Sequence, residues 1–153
     1  MDDAAPPIAP LTPEQDDFAR ALARAVLYIP RSFTADLGRD LGMTSTEFFT
    51  LAHLSDAPGG RARMGDLALA TALSLSATTR VVGQLARAGY VTKVRAADDG
   101  RGWEAHLTQA GRDQLARAYP HRVASLRHRV FDRLQGVDLE PLTRALDRIV
   151  ADD

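Results

Sequence analysis

Between residues 44 and 108 the chain is punctuated so closely that few folds can accommodate it. Thr44-Ser45-Thr46-Glu47 is a capping box, and it opens a helix through Phe48, Leu51, Ala52 and Leu54 that Pro58-Gly59-Gly60 stops. Two short helical stretches follow at close quarters, roughly 65–71 and 75–88. Ser74 caps the second, and Gly89 stands where a left-handed residue ends a helix. Val81, Val82 and Leu85 form the buried stripe of that helix, with Ser76, Thr79, Arg80, Gly83, Gln84 and Arg87 towards the other side. Tyr90 to Arg95 and Trp103 to Leu107 then read as two strands. The polar segment between them contains Asp98-Asp99-Gly100, which is hairpin chemistry.

The flanks are longer helices. Thr12-Pro13-Glu14-Gln15 starts one, and Phe18, Leu22, Val26 and Ile29 repeat along a single face. Pro30 is predicted to kink or end it, with Phe33, Leu37 and Leu41 on a second piece weakened by Gly38 and Gly42. Thr108 caps a long helix carrying Leu115, Tyr119, Val123, Leu126, Val130 and Leu134, with a bend predicted at Pro120. A last helix runs from Asp138 through Leu142, Leu146 and Ile149. Residues 1–11 read as a flexible acidic, Pro-rich tail and residues 12–153 as a single domain. The absence of cysteine excludes disulfides, thiolate zinc sites and a cysteine nucleophile. No apolar run approaches the roughly 18 residues of a membrane span, and the reading is a cytoplasmic protein without membrane contact.

A formal net charge of -1 argues against a protein that coats nucleic acid, but it hides a segregation of charge. Residues 1–60 sum to -5, whereas residues 61–102 carry Arg61, Arg63, Arg80, Arg87, Lys93, Arg95 and Arg101 against Asp66, Asp98 and Asp99, a net of +4. A basic middle in an acidic chain points to a local anion-binding face.

Helix, short helix, longer helix and a two-stranded hairpin with a charged tip is the order of a winged helix-turn-helix. The expected fold is therefore mostly α with a small β-hairpin wing (α+β): the winged helix-turn-helix at about 44–108, flanked by dimerisation helices at about 13–41 and 109–151. At this level the residues resemble the MarR-type transcriptional regulators, over about residues 14–150. The sharpest element is the run Asp99-Gly100-Arg101-Gly102-Trp103-Glu104-Ala105-His106-Leu107-Thr108, similar to that family's wing signature, Asp-x-Arg followed by five residues and Leu-Thr. Met64 to Ala68 and Leu73 to Val82 look like its helix-turn-helix, and Thr108 to Arg112 like the start of its next helix. Leu75 and Ala77 depart from it, standing where the family often has a polar or basic residue and a hydroxyl residue.

A helix in the major groove needs short polar side chains near its N-terminus and longer donors for base edges. Ser74, Ser76, Thr78, Thr79, Arg80 and Gln84 are the candidates, with Arg80 for a bidentate guanine contact and Thr78 equally placed for packing. Arg61, Arg63, Arg87, Lys93 and Arg95 are candidate phosphate clamps. The resemblance makes Arg101 the wing arginine of the minor groove, with Asp99 either orienting a basic residue or simply forming the turn.

One reading helix binds too weakly for regulation, so such modules act as two-fold dimers on paired half-sites. Leu139, Leu142, Leu146, Ile149 and Val150, with Phe18, Leu22 and Val26, are the apolar surface for that homodimer. The resemblance further implies a repressor released from a pseudo-palindromic operator by a small aromatic or phenolic effector. Tyr28, Phe33, Phe48, Phe49, His53 and Tyr119 are the candidate pocket. His121 and His128, seven residues apart, are too far separated for one ion and read as solvated surface, so neither metal nor cofactor is expected. No catalytic motif stands in the sequence. The rival reading is a winged helix repurposed for protein–protein contact.

Overall fold

The computed structural model describes residues 9–96 and 102–151. Helix α1 spans Pro13–Leu41; Thr12 and Gln15 close its capping box, and Gly42, at φ +62°, ends it in the left-handed region. Helix α2, Ser45–Asp56, starts from the Thr44–Glu47 capping box, and a 3₁₀ turn at Pro58–Gly60 leads into strand β1, Arg61–Arg63. Helices α3, Met64–Ala70, and α4, Leu75–Arg87, follow, then strands β2, Val91–Arg95, and β3, Trp103–Leu107. Thr108 caps helix α5, Gln109–Arg129, and Asp138 caps helix α6, Leu139–Val150. The strands form an antiparallel sheet in the order β1-β3-β2, with Arg61 opposite His106 and Val91 opposite Leu107.

One core joins these pieces. Phe33 and Leu37 of α1, Phe48, Leu51 and Leu54 of α2, Leu67 of α3, the Val82–Leu85 stripe of α4 and Ala105 of β3 are all buried in a single cluster. Each supplies the apolar side of an amphipathic element, at roughly 1.5–3 kcal/mol per large aliphatic or aromatic side chain removed from water. The consequence for function is positional: α4 rests its buried stripe on α2 and the sheet and keeps its opposite face outside.

Four expectations are corrected. Helix α1 is continuous through Pro30. The missing N–H leaves only the Val26 carbonyl without its helical donor, and Val26 and Pro30 are both exposed, so water can take that carbonyl. Phe33 and Leu37, buried beyond the proline, anchor the second half of the helix in the core. Helix α5 contains Pro120, as the sequence reading has it, but stops at Arg129, and Val130 and Leu134 leave the helix through a 3₁₀ turn at Phe131–Arg133. Its buried face is Gly111, Gln114, Ala118 and Ser125; of the predicted row, Leu115 packs partly buried against the core while Tyr119 is turned out. Strand β1 is an addition; three residues are too few to display an alternation.

A polar joint ties α1 to α5. Arg129 donates from Nε and Nη2 to the Asp36 carboxylate at 3.0–3.2 Å, Ser125 donates to it at 3.0 Å and Arg39 at 2.7 Å, while Arg129 Nη1 reaches the Tyr28 hydroxyl. Burial alone pushes the Asp36 carboxyl up, but the donors from Arg129, Ser125 and Arg39 outweigh it and hold the group below the usual carboxylate range. His121, expected as solvated surface, pairs with Asp40 at 3.0 Å across the same two helices.

Candidate nucleic-acid interface

The turn between α3 and α4 and the exit of α4 are both fixed by backbone hydrogen bonds. After α3, Leu73 N–H bonds the Ala68 carbonyl and Ala72 N–H the Leu69 carbonyl, with Ala72 in the left-handed region at φ +51°. After α4, Tyr90 N–H bonds the Leu85 carbonyl and Gly89 N–H the Ala86 carbonyl, with Gly89 at φ +77°. Both are Schellman motifs, so α4 is held at a set angle to α3 and delivers the chain directly into the wing. The alanine departs from the glycine usual at such a position, at a cost of about 1 kcal/mol.

On α4 the predicted residues separate by burial. Ser74, Ser76, Thr79, Arg80 and Gln84 are exposed. Thr78 is not: it is 1% exposed and its hydroxyl donates to the Ser74 carbonyl, so its assignment as a DNA contact is corrected to packing. Three of the exposed hydroxyls are engaged, since Ser74 Oγ accepts the Ala77 N–H and bonds Ser76 Oγ, and Thr79 Oγ1 donates to the Leu75 carbonyl. Arg80 and Gln84, one turn apart, have no side-chain polar partner among the described residues. A guanidinium and an amide held out in this way form a row of donors and acceptors already stripped of internal competition.

The basic residues of the sheet divide. Lys93 and Arg95 lie two apart on one face of β2 and place their charges over the Trp103 ring, each 5.1 Å from its centroid. Arg61 alternates to the other face, in register with His106, whose Nε2 is 2.9 Å from the Glu104 carboxylate. Arg63, the residue before α3, lines a cleft of about 400 Å³ with Leu75, Thr79 and Trp103. Arg87 donates back to the Gly83 carbonyl of its own helix. Trp103 is the residue that sequence reasoning passed over; its placement opposite Arg95 follows from the hairpin register and could have been read from it. Asp99 and Arg101 lie outside the described residues, and their assignment rests on the sequence.

The predicted aromatic pocket is only partly assembled. Phe33, Phe48 and Phe49 meet edge-to-face at centroid distances of 5.3–6.1 Å, but Phe33 and Phe48 are buried core residues. Tyr28 and Tyr119 are half exposed, and neither lines the cavity beside those rings. That cavity, of about 70 Å³, is bounded by Ile29, Pro30, Phe33, Phe49, Arg122, Ser125 and Leu126. The correction has a simple cause: 3.6 residues per turn sends Tyr28 and Phe33 to different faces of α1. His53, partly buried on α2, does not line it either. Among the described residues no group of three metal-ligating side chains converges, and no helix is long and apolar enough to cross a membrane.

A model of the MarR family matches residues 41–102. A MarR family transcriptional regulator from Streptomyces coelicolor, solved in complex with DNA, is 29% identical and superposes with a TM-score of 0.86 over 95% of this chain and 91% of that one. AbsC, a MarR family transcriptional regulator from the same organism, is 31% identical with a TM-score of 0.82 over 93% of this chain and 95% of its own. The transcriptional regulator BldR from Sulfolobus solfataricus shares the fold at 24% identity, with a TM-score of 0.74 over 92% and 98% of the two chains. Among curated proteins no sequence match is found.

Proposed function

Because the chain belongs to the MarR family of transcriptional regulators, we propose that it binds double-stranded DNA as a homodimeric repressor, laying α4 of each protomer in the major groove of one half-site of a pseudo-palindromic operator. The observation that carries this reading is the outer face of α4, where Arg80 and Gln84 stand exposed, without a side-chain partner among the described residues, over a buried stripe of Thr78, Val81, Val82 and Leu85. The Streptomyces coelicolor relative crystallised with DNA supports it. Lys93 and Arg95, lying over Trp103, add positive charge beside the helix, and Arg101 completes the wing on the strength of the sequence. The dimer is supported by the exposure of Phe18, Val26, Leu146, Ile149 and Val150, and by an α6 that buries none of its own residues. Exposed apolar faces on two terminal helices are what a two-fold interface would cover.

The regulatory part of the proposal is release by a lipophilic aromatic acid or phenol at the junction of α1, α2 and α5. Arg122 lies over Phe48 and Phe49 at 5.4–5.5 Å and has no carboxylate partner among the described residues, so a ligand anion would find its counter-charge there. The cavity of about 70 Å³ is smaller than the roughly 150 Å³ that admits benzene. Entry therefore requires the three helices to part, and only a ligand that favours the parted state can shift DNA affinity.

The test is a mobility shift of the purified protein on the DNA upstream of its own gene, titrated with salt. Several phosphate contacts per protomer predict a steep loss of affinity as salt rises. A flat salt response refutes DNA binding and leaves the protein–protein reading; a monomer in solution refutes the dimer.

A further inference from the structure

The first turn of α4 offers apolar chemistry where polar chemistry would be the ordinary choice for a groove-reading helix. Leu75, its first residue, is 57% exposed. The hydroxyls around it are occupied: Ser74 and Ser76 bond each other, and Ser74 also accepts the Ala77 N–H. Thr79 lies one turn along the same face and donates its hydroxyl back to the Leu75 carbonyl at 2.8 Å, which spends its one donor and leaves its γ-methyl and an acceptor oxygen to meet a partner. Leu75 and Thr79 form one wall of the cleft of about 400 Å³ that Trp103 closes on the wing side and Arg63 and Asp66 border at the start of α3.

Leu75 is absent from the buried core and finds no cover among the described residues. Its neighbourhood decides what could cover it: Arg63 and Asp66 offset each other in the cleft lining, while Lys93 and Arg95 lie over the Trp103 ring that closes it and Arg80 follows Thr79 in the helix, a surplus of positive charge that favours a polyanion. In the major groove of a duplex the one apolar feature on a base edge is the 5-methyl group of thymine. We propose that Leu75, assisted by the Thr79 methyl, is a specificity-determining residue that recognises a thymine 5-methyl group, an inference that rests on α4 entering the major groove. Cytosine at that place would present an amino donor to a leucine, and the unpaired donor would be penalised. Leu75 and Arg80 then read different base classes from one helix, thymine by a methyl contact and guanine by paired hydrogen bonds.

The probe is a duplex that the protein itself selects from a random-sequence pool, remade with deoxyuracil replacing one thymine at a time. Uracil keeps every hydrogen bond of thymine and lacks only the methyl. Burial of one methyl predicts a loss of roughly fourfold in affinity at the contacted position of each half-site and no loss elsewhere. Leu75→Ala, at an exposed site, is expected to keep the wild-type melting temperature, to bind the thymine duplex less well by roughly fourfold per half-site, or about fifteenfold for the dimer, and to show no further loss with uracil. If no duplex is enriched, the DNA-binding reading fails and this proposal with it. If binding is sound but the wild type is indifferent to uracil at every position, the thymine assignment alone is overturned. It is equally overturned if Leu75→Ala keeps the full uracil penalty.

Discussion

Gly111→Ala is the substitution whose consequence follows most directly from the geometry. An added Cβ would lie 2.2 Å from the Tyr90 carbonyl oxygen and 2.7 Å from Leu107 Cδ1. A carbon–oxygen contact normally settles at about 3.3 Å or more, so the overlap is about 1 Å. The obstacle is backbone and cannot rotate aside. It is also tied in place, because the Tyr90 carbonyl accepts the Thr108 N–H, Thr108 Oγ1 donates to the Gly89 carbonyl at 2.7 Å, and the same hydroxyl accepts the Gly111 N–H. These bonds join the exit of α4, the root of the wing and the start of α5, so the strain falls on the joint that aims the reading helix.

Alanine in a helix gains about 1 kcal/mol over glycine, whereas overpacking costs about 1–3 kcal/mol and each strained hydrogen bond roughly another 0.5–1.5 kcal/mol. The net expectation is a destabilisation of about 2 kcal/mol, or a melting temperature lower by about 4–8 °C for a chain of this size. Urea denaturation is the assay, read as a lower midpoint at unchanged slope. Gly83→Ala is the internal control: a Cβ there meets nothing within 4 Å, so the same chemical change in α4 should stabilise by about 1 kcal/mol. If Gly111→Ala matches or exceeds the wild type in midpoint, the close approach of α5 to Tyr90 is refuted.

Asp36→Asn should destabilise the protein by about 1–3 kcal/mol at neutral pH, because Arg129 loses its charged partner between α1 and α5. The Asp36 carboxyl is lowered in the fold, so its contribution is fully present above the unfolded carboxyl pKa of about 3.9 and is lost as pH falls through the folded value. The gap between variant and wild type should therefore close below about pH 4; a gap that widens on acidification contradicts the ionised pairing. Arg80→Ala should lower specific DNA affinity by about 1–3 kcal/mol and non-specific affinity far less. Equal losses on both would make Arg80 a phosphate contact.

What could be read from the sequence was whatever local chemistry decides. Capping boxes at Thr12 and Thr44, the Ser74 cap and the left-handed Gly89 depend on neighbours within a few residues, and the structure reproduces each of them. The misreadings share a different cause: each was decided by a distant partner. Pro30 was read from its own ring, whereas the continuity of α1 is set by Phe33 and Leu37 packing on helices that come later in the chain. The α5 stripe follows hydrophobicity in the sequence, whereas the buried face is selected by distant neighbours, the Tyr90 carbonyl and Leu107 at Gly111 and the Asp36 carboxylate at Ser125, and Tyr119 is turned out. The six aromatics of the predicted pocket were collected by type, and only helix phase separates Tyr28 from Phe33. The same division runs through the interface. Thr78 and Thr79 are identical in composition and adjacent in sequence, yet one is core and the other faces outward, because 100° of helix rotation places only the first beside Val81, Val82 and Leu85. Composition can therefore nominate a reading helix, but the side chains that meet a partner are chosen by the face the rest of the chain leaves uncovered, and on α4 that face includes a leucine.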